Sequence, residues 1–250
     1  MPSNDTFDLD IPLAVREQLD AKFKTLTTDP LEAQILSSLR PGHGVYKLLH
    51  QGVLVYAGKA DNLPRRLMEH CQKIGGRKNI AATDVGFQCL YLGPNWITFA
   101  AEDALIRMYT AQGMCQWNGA GFGLNDPGKG RDDTEMGADH WDVLYPIRYD
   151  FPLAGIDAGA YQCQQLLRRM KEDLPFNLRY EKTKSRSVNS GHPDYDNVSV
   201  NVPAAGMPAH EMLIAIAGAL PEGWQATRFP HQLTLYKNVK TYPSGVRLFP

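Results

Sequence analysis

The sequence predicts a mixed α/β fold in which a small antiparallel sheet is flanked by helices, followed by a C-terminal α+β domain. Two β-rich runs, 44–49 and 53–57, lie on either side of a short turn segment. Segments with helical apolar stripes precede and follow this pair, and after a boundary near 151–159 strand-like and helical segments alternate again. We therefore predict three parts: a helical arm at 1–41, a core domain at 42–150 and an α+β domain at 151–250.

Composition excludes several classes of protein. The chain of 250 residues is 43% hydrophobic and 21% charged, which is typical of a globular protein and excludes a disordered chain or a coiled coil. No apolar run approaches the roughly 18 residues of a membrane span, so we expect no membrane partner. The four cysteines form no C-x-x-C pair and are interpreted as free thiols. A net charge of -1 argues against a protein that coats nucleic acid indiscriminately, but allows a local basic patch.

For the first 41 residues the sequence predicts two short helices, which form an N-terminal arm that covers an edge of the sheet. Leu13, Leu19 and Phe23 have helical spacing in the first helix. Asp29-Pro30 has the form of an N-cap followed by a proline at the first helical position, so the second helix is expected to begin there.

The two β-rich runs predict a hairpin. Gly52 stands at the last position of a three-residue loop, where a left-handed conformation favours glycine. With this loop, Tyr46 and Tyr56 face each other directly across the two strands and lie on the same side of the sheet.

The core domain continues with a basic helix near 61–73, a strand near 85–92 and a helix near 96–112. Residues 59–78 contain six Lys or Arg against two acids, which makes this segment a local basic patch. In the later helix Glu102 stands at the border of the buried stripe, where a functional carboxylate can be held rigidly. The glycine-rich segment 119–137 predicts a long loop.

The last hundred residues predict a separate unit with a second basic segment at 168–186. This segment either contacts phosphate groups of a nucleic acid or is a charged helix and linker. The expected elements are helices near 158–173 and 208–219 and strands near 176–181, 198–202, 224–229 and 232–237.

The motifs of the core domain resemble the GIY-YIG nuclease family. Gly44-Val45-Tyr46 and Tyr56-Ala57-Gly58 look like the two signature tripeptides, with small apolar residues in place of two isoleucines. The resemblance covers about 42–120 and extends to about 148 toward restriction endonucleases that cut short GC-rich palindromes. The catalytic residues that it implies are Tyr46, Tyr56, Arg66, His70, Glu102 and Asn118, supported by Gly58 and Lys59.

The resemblance implies a Mg²⁺-dependent, site-specific double-strand DNA endonuclease of a bacterial cell. The polar, acidic first residues lack the pattern of a signal peptide, so we expect the cytoplasm as its location. One carboxylate, Glu102, is expected to hold one divalent ion per active site, Mg²⁺ or Mn²⁺. The planar guanidinium of Arg66 suits the scissile phosphate. Both tyrosines remain candidates for the general base, and Tyr46 is preferred. Because a phenol has a pKa of about 10, the base needs help from Lys59 or His70.

The same resemblance implies binding partners. Arg65, and Lys129 and Arg131 in the glycine-rich loop, are candidates for DNA contact. For Lys129 and Arg131 the alternative stays open that they are scattered charges on a surface loop. Because one site cuts one strand, a palindrome requires a homodimer on DNA. A cognate DNA methyltransferase that acts on the same site is also implied.

Two other functions stay open at this stage. One is a nicking, repair or structure-specific nuclease that the C-terminal domain directs to its substrate. The other is a catalytically silent DNA-binding module that kept the fold and lost turnover.

Overall fold

A computed structural model describes residues 10–93, 101–123, 128–183 and 191–250. Contacts divide the chain into two compact units, which we call the N-terminal unit (Met1–Cys71 and Ala81–Gly123) and the C-terminal unit (Gln72–Ile80 and Leu124–Pro250). In the described part of the chain, no helix is both long and apolar enough to cross a membrane. The predicted boundaries at 41/42 and 150/151 remain predictions.

The N-terminal unit confirms the predicted class, with a four-stranded antiparallel sheet flanked by helices. The strand order is β1-β4-β2-β3, so β3 is an edge strand. Its elements are α1 (Ile11–Lys24), β1 (Asp29–Pro30), α2 (Ala33–Ser38), β2 (Gly44–His50), β3 (Val53–Ala60), α3 (Leu63–Gly75), β4 (Val85–Tyr91) and α4 (Ala101–Ala111). The division between the two units falls within α3, between Cys71 and Gln72.

Strand alternation gives β2 and β3 two different faces. Val45 and Ala57 point into a core that includes Phe23 of α1 and Tyr109 of α4. Because successive side chains of a strand point to opposite faces, Tyr46 lies on the other face of the sheet. The sheet therefore separates the packing core from the tyrosines of the two motifs.

The predicted helix start at Asp29-Pro30 is wrong. These two residues form β1, which pairs with Phe87 and Gly86 of β4, and α2 follows with Glu32 at its N-cap position. The Leu31 backbone N–H donates to the Val85 carbonyl at 2.8 Å. Proline is tolerated on such an outer strand because its missing N–H is not needed by a neighbour.

The predicted hairpin register is also wrong, although the predicted face is right. His50 pairs with Val53, so the loop has two residues, and positive φ angles at Gln51 (51°) and Gly52 (82°) are typical of a type I′ turn. An irregularity after Leu48 shifts the pairing. As a result, Tyr46 pairs with Gly58, and Tyr56 pairs with Leu48. The two tyrosines are therefore diagonal neighbours on one face rather than a directly opposed pair.

In its described residues, the C-terminal unit contains two small sheets, three complete α-helices and the end of α3. One sheet has the order β10-β8-β9-β6, with β6 and β9 parallel, and the other pairs β5 with β7. The elements are α5 (Trp141–Leu144), β5 (Gly159–Gln162), α6 (Cys163–Asp173), β6 (Asn177–Tyr180), β7 (Ser199–Val202), α7 (Ala209–Ala219), β8 (Gln225–Arg228), β9 (Gln232–Tyr236) and β10 (Val246–Phe249).

Most predicted elements of this unit are present, with two differences. The helix predicted near 158–173 begins only at Cys163, because 159–162 pair with β7 as strand β5. Strand β10 was not predicted, since Val246–Phe249 is short and only partly buried. The buried side chains of α6 and α7, such as Leu166 and Met212, share one hydrophobic core with the sheets.

Candidate active site

Three ring side chains meet on the tyrosine face of the N-terminal sheet. Tyr46 of β2 is buried, and its hydroxyl oxygen lies 2.7 Å from Nε2 of His70, which is also buried in α3. The ring centroid of half-buried Tyr56 is 6.0 Å from that of Tyr46 and 5.3 Å from that of His70. The structure thus brings three predicted site residues together and places an imidazole nitrogen at a phenol oxygen.

Glycines in both motifs are required by close packing. A Cβ atom at Gly58 would lie 2.9 Å from the Tyr46 hydroxyl oxygen and 2.9 Å from Cε1 of Tyr56. A Cβ atom at Gly44 would lie 2.2 Å from the Leu90 carbonyl oxygen. Because nonbonded carbon contacts are about 3.5–4.0 Å, neither position accepts a side chain without movement of its neighbours. Gly58 is therefore the residue that lets the two tyrosine rings approach each other.

Asn118 binds the backbone of the second motif with both polar groups of its amide. Its Oδ1 accepts from the Ala57 N–H at 3.0 Å, and its Nδ2 donates to the Ala57 carbonyl at 2.9 Å. The neighbouring Trp117 N–H donates to the Val55 carbonyl at 2.9 Å. Since β3 is an edge strand, these bonds satisfy backbone groups that the sheet leaves open. The geometry gives Asn118 a positioning contact to the strand that carries Tyr56.

The predicted cations of this unit lie on α3 and β3. Arg66 stands one helical turn before His70, and its Nη1 is 3.5 Å from Oε2 of Glu69. Arg65 is more exposed, and its Nη1 is 3.0 Å from Oε1 of Glu69. Lys59 is exposed on β3. Sequence reasoning missed Glu69 as the acid that pairs with both arginines, although its spacing of three and four residues from them is a recognisable signal.

The backbone of Glu102 lies at the second residue of α4, while its side chain lies outside the described residues. Among the described residues, no group of three or more His, Cys, Asp or Glu is placed to hold a metal ion. The first residues of the helix predicted near 96–112, from 96 to 100, also lie outside the described residues.

A network of charged and aromatic side chains links α1 and β2 to α4. Lys47 of β2 is 7% exposed, and its Nζ lies 4.3 Å from the ring centroids of both Phe23 and Tyr109. Burial lowers the pKa of Lys47, and Asp20, 3.7 Å away, opposes this shift. The Tyr109 hydroxyl donates to Asp20 at 2.6 Å. The network fixes α4, the helix that carries Glu102, against the sheet.

The two loop cations predicted to contact DNA, Lys129 and Arg131, belong to the C-terminal unit. They lie in a 3₁₀ turn at 129–133, where Lys129 Nζ is 3.5 Å from Glu181 Oε2. Arg131 is partly exposed, with its Nη2 3.8 Å from Asp142 Oδ2. Buried Asp132 anchors the turn, because its Oδ2 accepts from the Tyr236 hydroxyl at 2.9 Å. In this structure both cations contact side chains of their own unit.

Sequence reasoning also missed two aromatic residues, Phe122 and Trp117, that pack beside the rings of Tyr56 and His70. Phe122 is fully buried and stacks on His70, and Trp117 packs against Phe122 with ring centroids 4.7 Å apart. Their signal in the sequence is weak, because an aromatic residue in a glycine-rich segment has many structural explanations.

Comparison with known families identifies the motif-bearing segment. Residues 42–167, just over half of the chain, match the model of the Eco29kI GIY-YIG domain. The match contains the tyrosine face, α3, Asn118 and the 3₁₀ turn at 129–133. A search of curated proteins found no match.

Proposed function

Because the chain belongs to the family of the Eco29kI GIY-YIG domain, and is therefore a nuclease of the restriction endonuclease branch, we propose that it is a Mg²⁺-dependent, site-specific double-strand DNA endonuclease. The observation that carries this proposal is the 2.7 Å contact between the Tyr46 hydroxyl and Nε2 of His70. A phenol with a pKa of about 10 is a poor base at neutral pH unless a neighbouring group accepts its proton. His70 supplies that acceptor when Nε2 is unprotonated.

In the proposed reaction, a water molecule attacks the scissile phosphorus. Its proton passes to the Tyr46 oxygen, and the phenolic proton of Tyr46 passes to Nε2 of His70. The bond between phosphorus and the leaving oxygen breaks, and the leaving oxygen takes a proton from solvent. Tyr56, beside both groups, orients the water or the phosphate. The burial of Tyr46 and His70 supports this assignment, because it fixes the donor and the acceptor before substrate binds.

Charge neutralisation is assigned to α3, β3 and α4. The guanidinium of Arg66 donates to the scissile phosphate. Lys59 is exposed, but it lies on the face of β3 opposite Tyr56, so it adds positive charge only at longer range. Glu102 would hold one Mg²⁺, or Mn²⁺ in its place, since a carboxylate oxygen suits these hard cations. When bound, the ion neutralises charge that develops on the leaving oxygen. A single carboxylate leaves most of the coordination shell to water, as Mg²⁺ prefers.

The proposal includes partners. One active site per chain cuts one strand, so cleavage of both strands of a palindrome requires a two-fold dimer on DNA. Arg65, Lys129 and Arg131 are proposed DNA contacts, the last two after exchange of their present carboxylate partners for DNA. A methyltransferase that modifies the same site would protect host DNA in the bacterial cytoplasm.

The test is digestion of a long unmethylated DNA with and without Mg²⁺, followed by sequencing of the ends. We expect discrete ends at one palindrome, only with Mg²⁺ or Mn²⁺. Tyr46→Phe removes the hydroxyl and should slow single-turnover cleavage by about 10²–10⁴-fold, the usual contribution of a general base. Tyr91→Phe is the matched control, because Tyr91 lies on β4 of the same sheet and its hydroxyl donates to the Arg40 carbonyl.

Other results would change the conclusion. Metal-dependent nicks without a common sequence, or cuts confined to junctions, would replace restriction with repair or structure-specific cleavage. Binding without cleavage of duplex, forked or single-stranded DNA would indicate a silent DNA-binding module. Cleavage by Tyr46→Phe or Glu102→Gln at the wild-type rate would refute the assignment of those residues.

A further inference from the structure

The ring of Phe122 packs directly against the imidazole ring of His70. The two ring centroids are 4.9 Å apart and the ring planes differ by 12°, so the phenyl ring lies face to face on the imidazole. Phe122 also contacts Tyr56, with centroids 5.1 Å apart and the rings nearly perpendicular. It is 0% exposed. Phe122 is therefore the one described aromatic residue outside the predicted site set whose ring contacts both His70 and Tyr56.

The backbone around Phe122 directs its ring into this position. Gly121 has a φ of 99°, a left-handed conformation that other residues rarely adopt, and it allows the chain to turn directly before Phe122. Four residues earlier, Asn118 is bonded to the backbone of Ala57. The segment that closes the edge of β3 thus also delivers Phe122 to the tyrosine face.

The stacked ring of Phe122 affects the orientation of His70, because the backbone of a histidine does not by itself fix the plane of its imidazole ring. The terminal torsion of a histidine side chain has a broad energy profile, so a helix position alone does not fix the ring plane. The hydrogen bond to Tyr46 sets the position of Nε2, but it still allows the ring to rotate about the line of that bond. Tyr46 and Tyr56 contact the imidazole at an angle, whereas the phenyl ring of Phe122 lies face to face on it and restricts this rotation most directly.

We propose that Phe122 is a positioning residue for the reaction, and that its ring holds the His70 imidazole in the plane that brings Nε2 to the Tyr46 hydroxyl. The catalytic consequence rests on the proposed function, whereas the orientation of His70 does not. Phe122 touches neither substrate nor the transferred protons. Its effect passes through His70, and it should act on the rate of the chemical step rather than on DNA affinity.

The experiment compares Phe122→Leu with Phe122→Tyr in the full chain. Leucine removes the aromatic face, whereas tyrosine keeps it. Phe122→Met is a second ring-removing variant, in case the branched side chain prevents folding. The matched control is Phe87→Leu, because Phe87 is a buried phenylalanine of β4 that pairs with Leu48.

Two quantities are measured. The first is the NMR order parameter of the His70 ring in protein with labelled histidine, with the His70 signal identified from a His70→Gln sample. The second is the single-turnover cleavage rate at saturating DNA, together with DNA affinity in the absence of metal. For Phe122→Leu we expect a lower order parameter, a rate lower by about 10- to 100-fold and unchanged affinity. Phe122→Tyr should restore both, and Phe87→Leu should resemble wild type.

The outcomes separate this proposal from the proposed function. A His70 ring that is as ordered in Phe122→Leu or Phe122→Met as in wild type would overturn the positioning role. A mobile His70 ring with a wild-type cleavage rate would overturn its catalytic relevance. If wild-type protein cuts no DNA, the proposed function fails, while the order parameter still decides whether Phe122 holds His70.

Discussion

The substitution Gly58→Ala tests whether the tyrosine face depends on a missing side chain. Gly58 is paired with Tyr46 across β2 and β3, and its backbone conformation accepts alanine without strain. The added Cβ would lie 2.9 Å from the Tyr46 hydroxyl oxygen, 3.0 Å from Cζ of Tyr46 and 2.9 Å from Cε1 of Tyr56. Two rings therefore compete with one methyl group for the same space.

The size of the effect follows from these distances. A comfortable carbon contact of about 3.5 Å requires a ring to move by roughly 0.5 Å. Overpacking of this kind usually costs about 1–3 kcal/mol of stability. Because a misplacement of about 1 Å lowers a rate by roughly 100-fold, a 0.5 Å shift of the Tyr46 hydroxyl away from His70 should lower it by about tenfold.

The assays are urea denaturation and single-turnover cleavage at saturating DNA. Gly75→Ala is the matched control, because Gly75 is exposed at the end of α3 and a Cβ there meets nothing within 4 Å. Alanine at this helical position should leave the rate unchanged and raise stability by up to about 1 kcal/mol. Wild-type cleavage and wild-type stability of Gly58→Ala would refute the packing argument.

Three further substitutions test other contacts. Asn118→Ala leaves the buried N–H and carbonyl of Ala57 without their amide partner, and urea denaturation should show a loss of about 2–4 kcal/mol. Asp142→Asn removes the charge opposite Arg77, whose Nη1 lies 2.8 Å from Asp142 Oδ1 with both side chains buried, and should cost about 3 kcal/mol in the same assay. Burial lowers the pKa of His231 to about 4 from 6.5, so the unfolded chain binds this proton more readily than the native state does. Stability should therefore fall by about 2–3 kcal/mol as pH drops from about 6.5 to 4, and His231→Gln should flatten that slope in urea titrations across pH. An equal slope in the two proteins would contradict the assignment.

Local sequence patterns predicted much of the N-terminal unit. Alternation along a strand depends only on successive residues, so the common face of Tyr46 and Tyr56 was predictable even though the register was wrong. The four-residue spacing of Arg66 and His70 is a second local pattern, because side chains four residues apart lie on one side of a helix such as α3. Some errors arose where pairing partners are distant in sequence, as for β1 with β4 and β5 with β7. The hairpin error was local, because the turn has two residues and an irregularity after Leu48 shifts the pairing.

The sequence by itself determined the order and spacing of the motifs, and with them the family, because these are properties of the chain. Only the tertiary structure decided the bond from Tyr46 to His70, the clamp of Asn118 on Ala57 and the stack of Phe122 on His70. These contacts join residues that are 24 to 61 positions apart. Propensity and periodicity act over about one helical turn, whereas close packing of distant segments fixes which side chains touch.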